Sequence, residues 1–361
     1  YCTENFIEFV PSLSTFGHLF ELLEKEKYKH LREAEADPVI AWPNRMSHHT
    51  IDPTKDESFE LIKSLIDQYM PCFTSDKFNI CCDETFDLTN GRHKGEDTGK
   101  LYVDFVCKLI NYIRSKGKKV MMWADILLQH PQVIDKIPED TILLNWDYSE
   151  NADEEKVELL AKTGKMQIVC PGTWTWSRLC ENVHKAEQNI NLMAKYGRKY
   201  DAEGVLNTNW GDWGNPCSLE LAMHGFALGA EKSWNTDADD NYDERINKII
   251  YKNERGSEYL RRLSDIQEIA SWQEIVRMYS NFSVKSEIPV GNTPKESLER
   301  AEKECDTLIK DVLSDSWKQE NYKEELLSAA EGMKVIIHFI AAYEGYKISE
   351  NANPKKWIEE Y

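Results

Sequence analysis

Up to about Asn235 the chain alternates between short apolar runs and amphipathic stretches. Residues 6–10, 78–82, 120–123, 142–146, 166–170 and 205–208 read as strands. Between them, residues 59–69, 100–113, 154–161, 183–195 and 219–230 repeat apolar side chains at the spacing of one helix face. Largely apolar strands separated by helices imply a parallel sheet covered on both faces. Two architectures fit that alternation, a (β/α) barrel and a doubly wound sheet.

The residues just past the strands separate these two folds. The runs lead into His18, Asp83-Glu84, Trp123-Ala124-Asp125, Trp146-Asp147-Tyr148, Trp174-Thr175-Trp176 and Trp210-Gly211-Asp212-Trp213. Polar and aromatic residues past every strand suit a barrel, which builds its site from the loops of several strands at once. A doubly wound sheet concentrates its site at one switch point, and its glycine-rich phosphate loop is absent. The expected fold is a TIM-type (β/α) barrel over residues 1–236, followed by an all-helical domain over 237–361. In that tail Thr293 and Glu296 have the spacing of a capping box, with Pro294 at the first helical position. Leu298, Ala301, Cys305, Leu308 and Val312 then recur at helical spacing, and 324–346 reads as another helix. Trp42, Trp272, Trp317 and Trp357 are expected to pack rather than to bind.

Composition narrows the partners. The 361 residues carry a net charge of −19, which argues against nucleic acid or an anionic membrane as a partner. The nine cysteines, an odd number without a CxxC motif, suggest free thiols in a reducing, cytoplasmic compartment. No Cys/His spacing resembles a zinc site, and neither metal nor cofactor is expected.

The stretch "NICCDETFDL" ends an apolar run in adjacent acids, Asp83 and Glu84. Strand side chains alternate faces, so both can reach one site only where the pleat ends. Neighbours in sequence are poorly placed to straddle a glycosidic bond as the usual carboxylate pair does. They suit a division of labour instead, one acid for the leaving group and one for a part of the substrate that itself attacks. A solvated pair or a helix cap is the plain alternative. Seven of the eleven tryptophans fall between Trp123 and Trp234, most of them just past a strand. Interleaved with Asp125, Asp147 and Asp212, they fit a carbohydrate pocket, since an indole offers a flat face to a sugar ring. Cys81 and Cys82 are read as packing residues.

The stretch "NICCDET" resembles the Asp-Glu signature of glycoside hydrolase family 20, with Cys81 where the family usually has Gly. "VPSLSTFGHL" is similar to the segment that ends the family's third strand, with Phe16 where Pro is common. "VMMWAD", "LLNWDYS", "GTWTWS" and "NTNWGDWGNP" resemble its later strand ends, closest to a bacterial branch with a helical C-terminal domain. The resemblance implies an exo-β-N-acetylhexosaminidase acting on terminal β-linked N-acetylglucosamine or N-acetylgalactosamine of an oligosaccharide or glycoconjugate. It implies substrate-assisted retention, in which the 2-acetamido oxygen attacks C1 to give an oxazolinium. Asp83 would hold the acetamido N–H, and Glu84 would protonate the leaving oxygen. Trp123, Trp174, Trp176 and Trp210 would line the pocket, and Trp146 and Asp125, read from their strand ends, are expected to bind substrate with them. Asp212 would meet outer hydroxyls, Tyr148 the acetamido group, and His18 would sit near Glu84. Counting strands gives six of the barrel's eight, so the first two would precede Tyr1 in a longer chain. Two other functions compete: a sugar-binding protein on a degenerate barrel, and a retaining glycosidase with Asp125, Asp147 or Asp212 as covalent nucleophile.

Overall fold

The computed structural model describes residues 1–34, 49–238, 241–284, 292–346 and 348. It divides into two compact units, one of residues 1–146, 153–170 and 196–206, the other of 147–152, 171–195 and 207–361. This division does not fall at the expected 236/237. Val183, Ala186, Ile190 and Leu228, all before that point, bury their side chains in the same cluster as Leu260 and Leu308.

In the first unit, β1 (Lys77–Asn79), β2 (Lys119–Trp123), β3 (Ile142–Trp146), β4 (Gln167–Cys170) and β5 (Gly204–Val205) form one parallel sheet in sequential order. A doubly wound sheet reverses its order at a switch point; a barrel adds every strand in one direction. The sheet has the barrel order. Helix α1 (Asp56–Tyr69) precedes β1, and α2 (Thr98–Ser115), α3 (Asp125–Gln129), α4 (Glu154–Lys162) and α5 (Val183–Lys199) lie between successive strands. Asp97 caps α2 by accepting from the Lys100 N–H, and Gly117 at φ 79° ends it in the left-handed turn that glycine adopts without strain. The buried face of α2 carries Tyr102, Phe105, Val106, Leu109 and Ile113.

The sheet's two faces are filled by different residues at period two. Val120, Met122 and Leu143 join the helix-facing core with Phe78, Tyr102 and Leu160. Met121, Trp123, Ile142 and Leu144 form a second cluster with Cys81 and Cys170, against which Trp146 packs. Trp123 and Trp146 therefore share the inner face.

Three expected strands are displaced or shortened. Residues 6–10 form none: Phe6 turns into the left-handed region at φ 58° and is 99% exposed. Pairing with β1 falls further on, where the Asn79 N–H donates to Pro11 O and the Leu13 N–H to Asn79 O. The run 78–82 stops at Asn79, whose Oδ1 accepts the Cys81 N–H at 2.9 Å and turns the chain. The run 205–208 is a strand only over Gly204–Val205.

The second unit contains α6 (Met223–Trp234), α7 (Gly256–Ile266), α8 (Trp272–Val284), α9 (Lys295–Ser314) and α10 (Glu320–Tyr343). All five residues read as the inner face of α9, from Leu298 to Val312, are buried. The capping box does not form: Pro294 is extended at the cap, and no side chain bonds to the helix end. Helix α10 is long and apolar enough to cross a membrane by length and composition, but Leu326, Ala330, Met333, Ile337 and Ile340 bury one face of it in the core. Trp317 is buried and Trp272 packs against the same cluster, as expected of packing residues. Trp42 and Trp357 lie outside the described residues.

A charged network centres on the buried His224 and Glu181 in this unit. His224 lies 3.1 Å from Glu181 through Nδ1 and 3.1 Å from Asp243 through Nε2. Arg261 bridges Asp243 and Glu187. Burial alone would lower the His224 pKa, but the bonds to Asp243 and Glu181 and their charges outweigh it and raise it from 6.5 to about 9. Folding is therefore favoured by this group fully below pH 6.5, and the contribution is lost as pH rises through about 9. The wild-type melting temperature should fall across that interval, and His224→Gln should flatten the slope. Equal slopes in the two proteins would contradict the assignment.

Candidate active site

Three expected residues meet at one atom. His18 Nε2 lies 3.2 Å from Asp83 Oδ2 and 3.2 Å from Glu84 Oε2. A regular strand would send the two acids to opposite faces. Here Cys81, Cys82 and Glu84 all take left-handed backbone, at φ 58°, 67° and 50°, and the pleat is broken before the acids are reached. His18 is left-handed as well, at φ 56°. Such residues cost energy and persist only when their surroundings hold them.

The holding contacts are specific. Thr15 Oγ1 donates to Ile80 O at 2.6 Å, and the buried Tyr102 hydroxyl donates to Cys82 O at 2.8 Å. The Glu84 N–H donates to Asp125 Oδ2 at 3.0 Å, and the Phe86 N–H to Glu84 O at 2.7 Å. Gly17 completes the fit, because a Cβ there would collide with the Asp83 carbonyl oxygen. The Gly-His pair thus brings the His18 ring to the acids by bringing its backbone against theirs.

Electrostatics fix the protonation of the cluster. Burial would lower the His18 pKa, but hydrogen bonds to Asp83 and Glu84 and their charges prevail and raise it to about 10. His49 behaves oppositely. Burial and the neighbouring His18 charge push it down to about 3, so its ring is neutral. Its Nδ1 accepts the His18 backbone N–H at 3.0 Å, which leaves its proton on Nε2. Burial and then the Asp83 charge push Asp125 up to about 7. Asp125 Oδ1 is shielded from solvent and has no hydrogen-bond partner among the described residues.

The expected residues divide between the units. His18, Asp83, Glu84, Asp125, Trp123 and Trp146 belong to the first; Tyr148, Trp174, Trp176, Trp210 and Asp212 belong to the second. In the second, Trp174 and Trp176 have ring centroids 4.8 Å apart, and Tyr148 and Trp176 5.1 Å. Trp174 Nε1 donates to Tyr148 O at 2.7 Å, and Trp210 Nε1 to the Tyr148 hydroxyl at 2.8 Å. Gly172 leaves room for this packing, since a Cβ would press on Trp176 and Tyr148. Asp212 is half-buried in the same unit. His49 and Tyr102 carry no local signal of a site; only their folded neighbours give them a role.

Among the described residues, three carboxylate–histidine groups are compact enough to hold a cation: His18–Asp83–Glu84, Glu33–Asp52–His93 and Glu187–His224–Asp243. In the first and third a protonated histidine is itself the cation the acids face. In the second, His93 Nδ1 already bonds Glu33 at 2.9 Å.

The model of the glycosyl hydrolase family 20 catalytic domain matches residues 1–231, and the chain belongs to that family. It is 28% identical over 189 residues to hexosaminidase D of Bos taurus, an alignment that covers 48% of this chain and 51% of the relative. The chain thus spans about half the length of that curated relative. A β-N-acetylhexosaminidase structure from Bacteroides fragilis matches with a TM-score of 0.51 at 17% identity, over 68% of this chain and 52% of that one. A chitobiase structure from Flavobacterium johnsoniae matches with 0.53 at 14% identity, over 100% and 63%. At these identities the structures speak to fold alone, and both agree with the barrel order of the sheet.

His18 should remain an imidazolium up to about pH 10 when followed by nitrogen NMR. Gly17→Ala removes no functional group, yet should separate His18 from the acids and bring its midpoint back toward 6.5. An unshifted midpoint in the variant would show that the close approach at Gly17 does not position the ring.

Proposed function

We propose that the chain hydrolyses terminal β-linked N-acetylglucosamine or N-acetylgalactosamine from an oligosaccharide or glycoconjugate, with retention, using the substrate's own acetamido group as nucleophile. The observation that carries this reading is the pair Asp83 and Glu84, adjacent in sequence and met by the single His18 Nε2 at 3.2 Å each. Two carboxyls so close leave no room for a sugar ring between them. They can serve two neighbouring atoms of one substrate, the acetamido nitrogen and the glycosidic oxygen. Family membership and the hexosaminidase names of the relatives support the same chemistry.

In this mechanism Asp83 accepts the acetamido N–H and steadies the positive charge that grows as the carbonyl oxygen attacks C1. Glu84 takes the proton that His18 Nε2 holds 3.2 Å away, passes it to the departing oxygen, then recovers one from the water that opens the oxazolinium. His18 holds both carboxylates until substrate arrives, and the sugar's acetamido N–H supplies Asp83 with a second donor. Asp125 steadies Glu84 through the backbone. A covalent mechanism is less well supported. Asp125 Oδ2 already accepts the Glu84 N–H, and Asp147 Oδ1 already accepts the Ser149 N–H.

Aglycone release from nitrophenyl N-acetyl-β-glucosaminide and from an alkyl N-acetyl-β-glucosaminide, whose leaving group is poor, tests this. Glu84→Gln should lower kcat/KM for poor, oxygen-linked leaving groups by about 10²–10⁴-fold. Asp83→Asn should lose roughly 10²–10³-fold through weaker charge stabilisation. A thiazoline mimic of the oxazolinium should inhibit, and a fluorosugar should label no aspartate. Labelling of Asp125, or full turnover by Glu84→Gln, would refute the mechanism.

A further inference from the structure

Glu84 has two sets of neighbours. His18 and Asp83 stand beside it. Within the first unit opens a cleft of about 420 Å³ that is lined by Glu84 and Asp125 but by neither His18 nor Asp83. Its walls are largely apolar: Phe86 beside the acid, Leu128 from α3, Trp146 at the end of β3 and Leu159 from α4. Phe86 is held there by its own N–H, which bonds Glu84 O across a three-residue turn, and the residue is 38% exposed. A large aromatic ring fixed beside a catalytic acid and left open to solvent is a platform for a flat or apolar group. The cleft's far side carries Asp153 and Glu155, with Lys156 as the one cation among the described residues of its lining. Asp153 already caps α4 by accepting the Glu155 N–H, so the positive end of that helix is met by the chain's own carboxylate.

We propose that this cleft receives the leaving group, and that it selects leaving groups with an apolar face and no negative charge. The inference rests on the hexosaminidase reading. If Asp83 holds the acetamido group, the reacting sugar occupies Asp83's flank of Glu84. The glycosidic oxygen lies within hydrogen-bond reach of Glu84, and the group attached beyond it extends away from Asp83 into the cleft that Glu84 lines without Asp83. There an aryl ring or the C–H face of a pyranose stacks on Phe86 and Trp146. A carboxylate, sulfate or phosphate on that group meets Asp153 and Glu155 in a cleft that offers it one lysine. Uncharged and amine-bearing leaving groups meet no such repulsion.

The test compares two substrates, 4-nitrophenyl N-acetyl-β-glucosaminide and its analogue with a ring carboxylate, in wild type, Glu155→Lys and Phe86→Ala. Taking the ratio of kcat/KM for the two substrates, and then comparing that ratio between proteins, cancels their intrinsic difference in leaving ability. Glu155→Lys places its change on an exposed side chain and should raise the carboxylate-to-neutral ratio by about three- to tenfold at low ionic strength. Added salt should shrink that gain, because exposed charges are screened. Phe86→Ala should raise KM for the neutral aryl substrate more than it lowers kcat. An unchanged ratio in Glu155→Lys, with both substrates turned over, overturns the cleft assignment and leaves the hydrolase intact. Turnover of neither substrate by wild type overturns the hydrolase reading, and the cleft assignment with it.

Discussion

The left-handed turn that ends β1 is the constraint on which the site depends. Pleated backbone would place Asp83 and Glu84 on opposite faces, and one imidazole could not touch both. Cys81, Cys82 and Glu84 leave the extended region in quick succession, so that two neighbouring carboxylates point the same way. This geometry is costly in isolation, and the surroundings hold it from several directions. Tyr102 comes from a helix, Thr15 from the segment before His18, and Asp125 from the end of the next strand. Their donors and acceptors all end on the backbone of residues 80–84. The core of the first unit is therefore organised around a strained peptide segment as well as around apolar packing.

Charge is a consequence of that geometry. Two carboxylates brought together repel. A protonated His18 between them offsets that repulsion. That proton is secured by the histidine behind it, because His49 is buried and neutral and its Nδ1 spends its lone pair on the His18 backbone. One histidine is thus held charged and its neighbour uncharged. A second cation at His49 would weaken His18's hold on the acids, and a carboxylate in its place could compete for His18. The neutral ring avoids both and fixes the backbone from which His18 projects.

Much of this was legible in the chain, and the reasons for the rest are physical. Strand and helix alternation is written in local periodicity, so the parallel sheet, the order of its elements and the buried face of α9 could all be read directly. The aromatic strand ends were equally visible, and Tyr148, Trp174, Trp176 and Trp210 do gather in one place. Features set by long-range contacts could not be read. The apolar run 6–10 looks like a strand but its residues 6–9 are exposed, while Pro11 and Leu13 take the pairing. Thr293 and Glu296 have the spacing of a capping box, yet Pro294 leads into the helix extended and the box does not close. His49 carries no local signal of its role, because its partner His18 lies 31 residues away. Gly17 is visible only as part of a Gly-His pair; its necessity appears once the Asp83 carbonyl is seen against it.

The same turn explains the one departure in the Asp-Glu motif. The position held by Cys81, where a glycine is usual, has φ 58°, and glycine is the residue that reaches this region freely. A side chain there carries a penalty of roughly 1–2 kcal/mol. Cys81 offsets much of it. Its side chain is buried on the inner face of the sheet with Met121 and Trp123, and its sulfur sits 3.1 Å from Ser12 Oγ. Burying a side chain of that size recovers roughly 1 kcal/mol. The two effects are of the same order, so the substitution changes the chemistry of the position while the turn remains. A larger or β-branched residue would face the same backbone penalty, worsened by branching, and would have to displace the tryptophan beside it. At this position the sequence can vary only between no side chain and a small one, because the turn has to survive for the acids to meet.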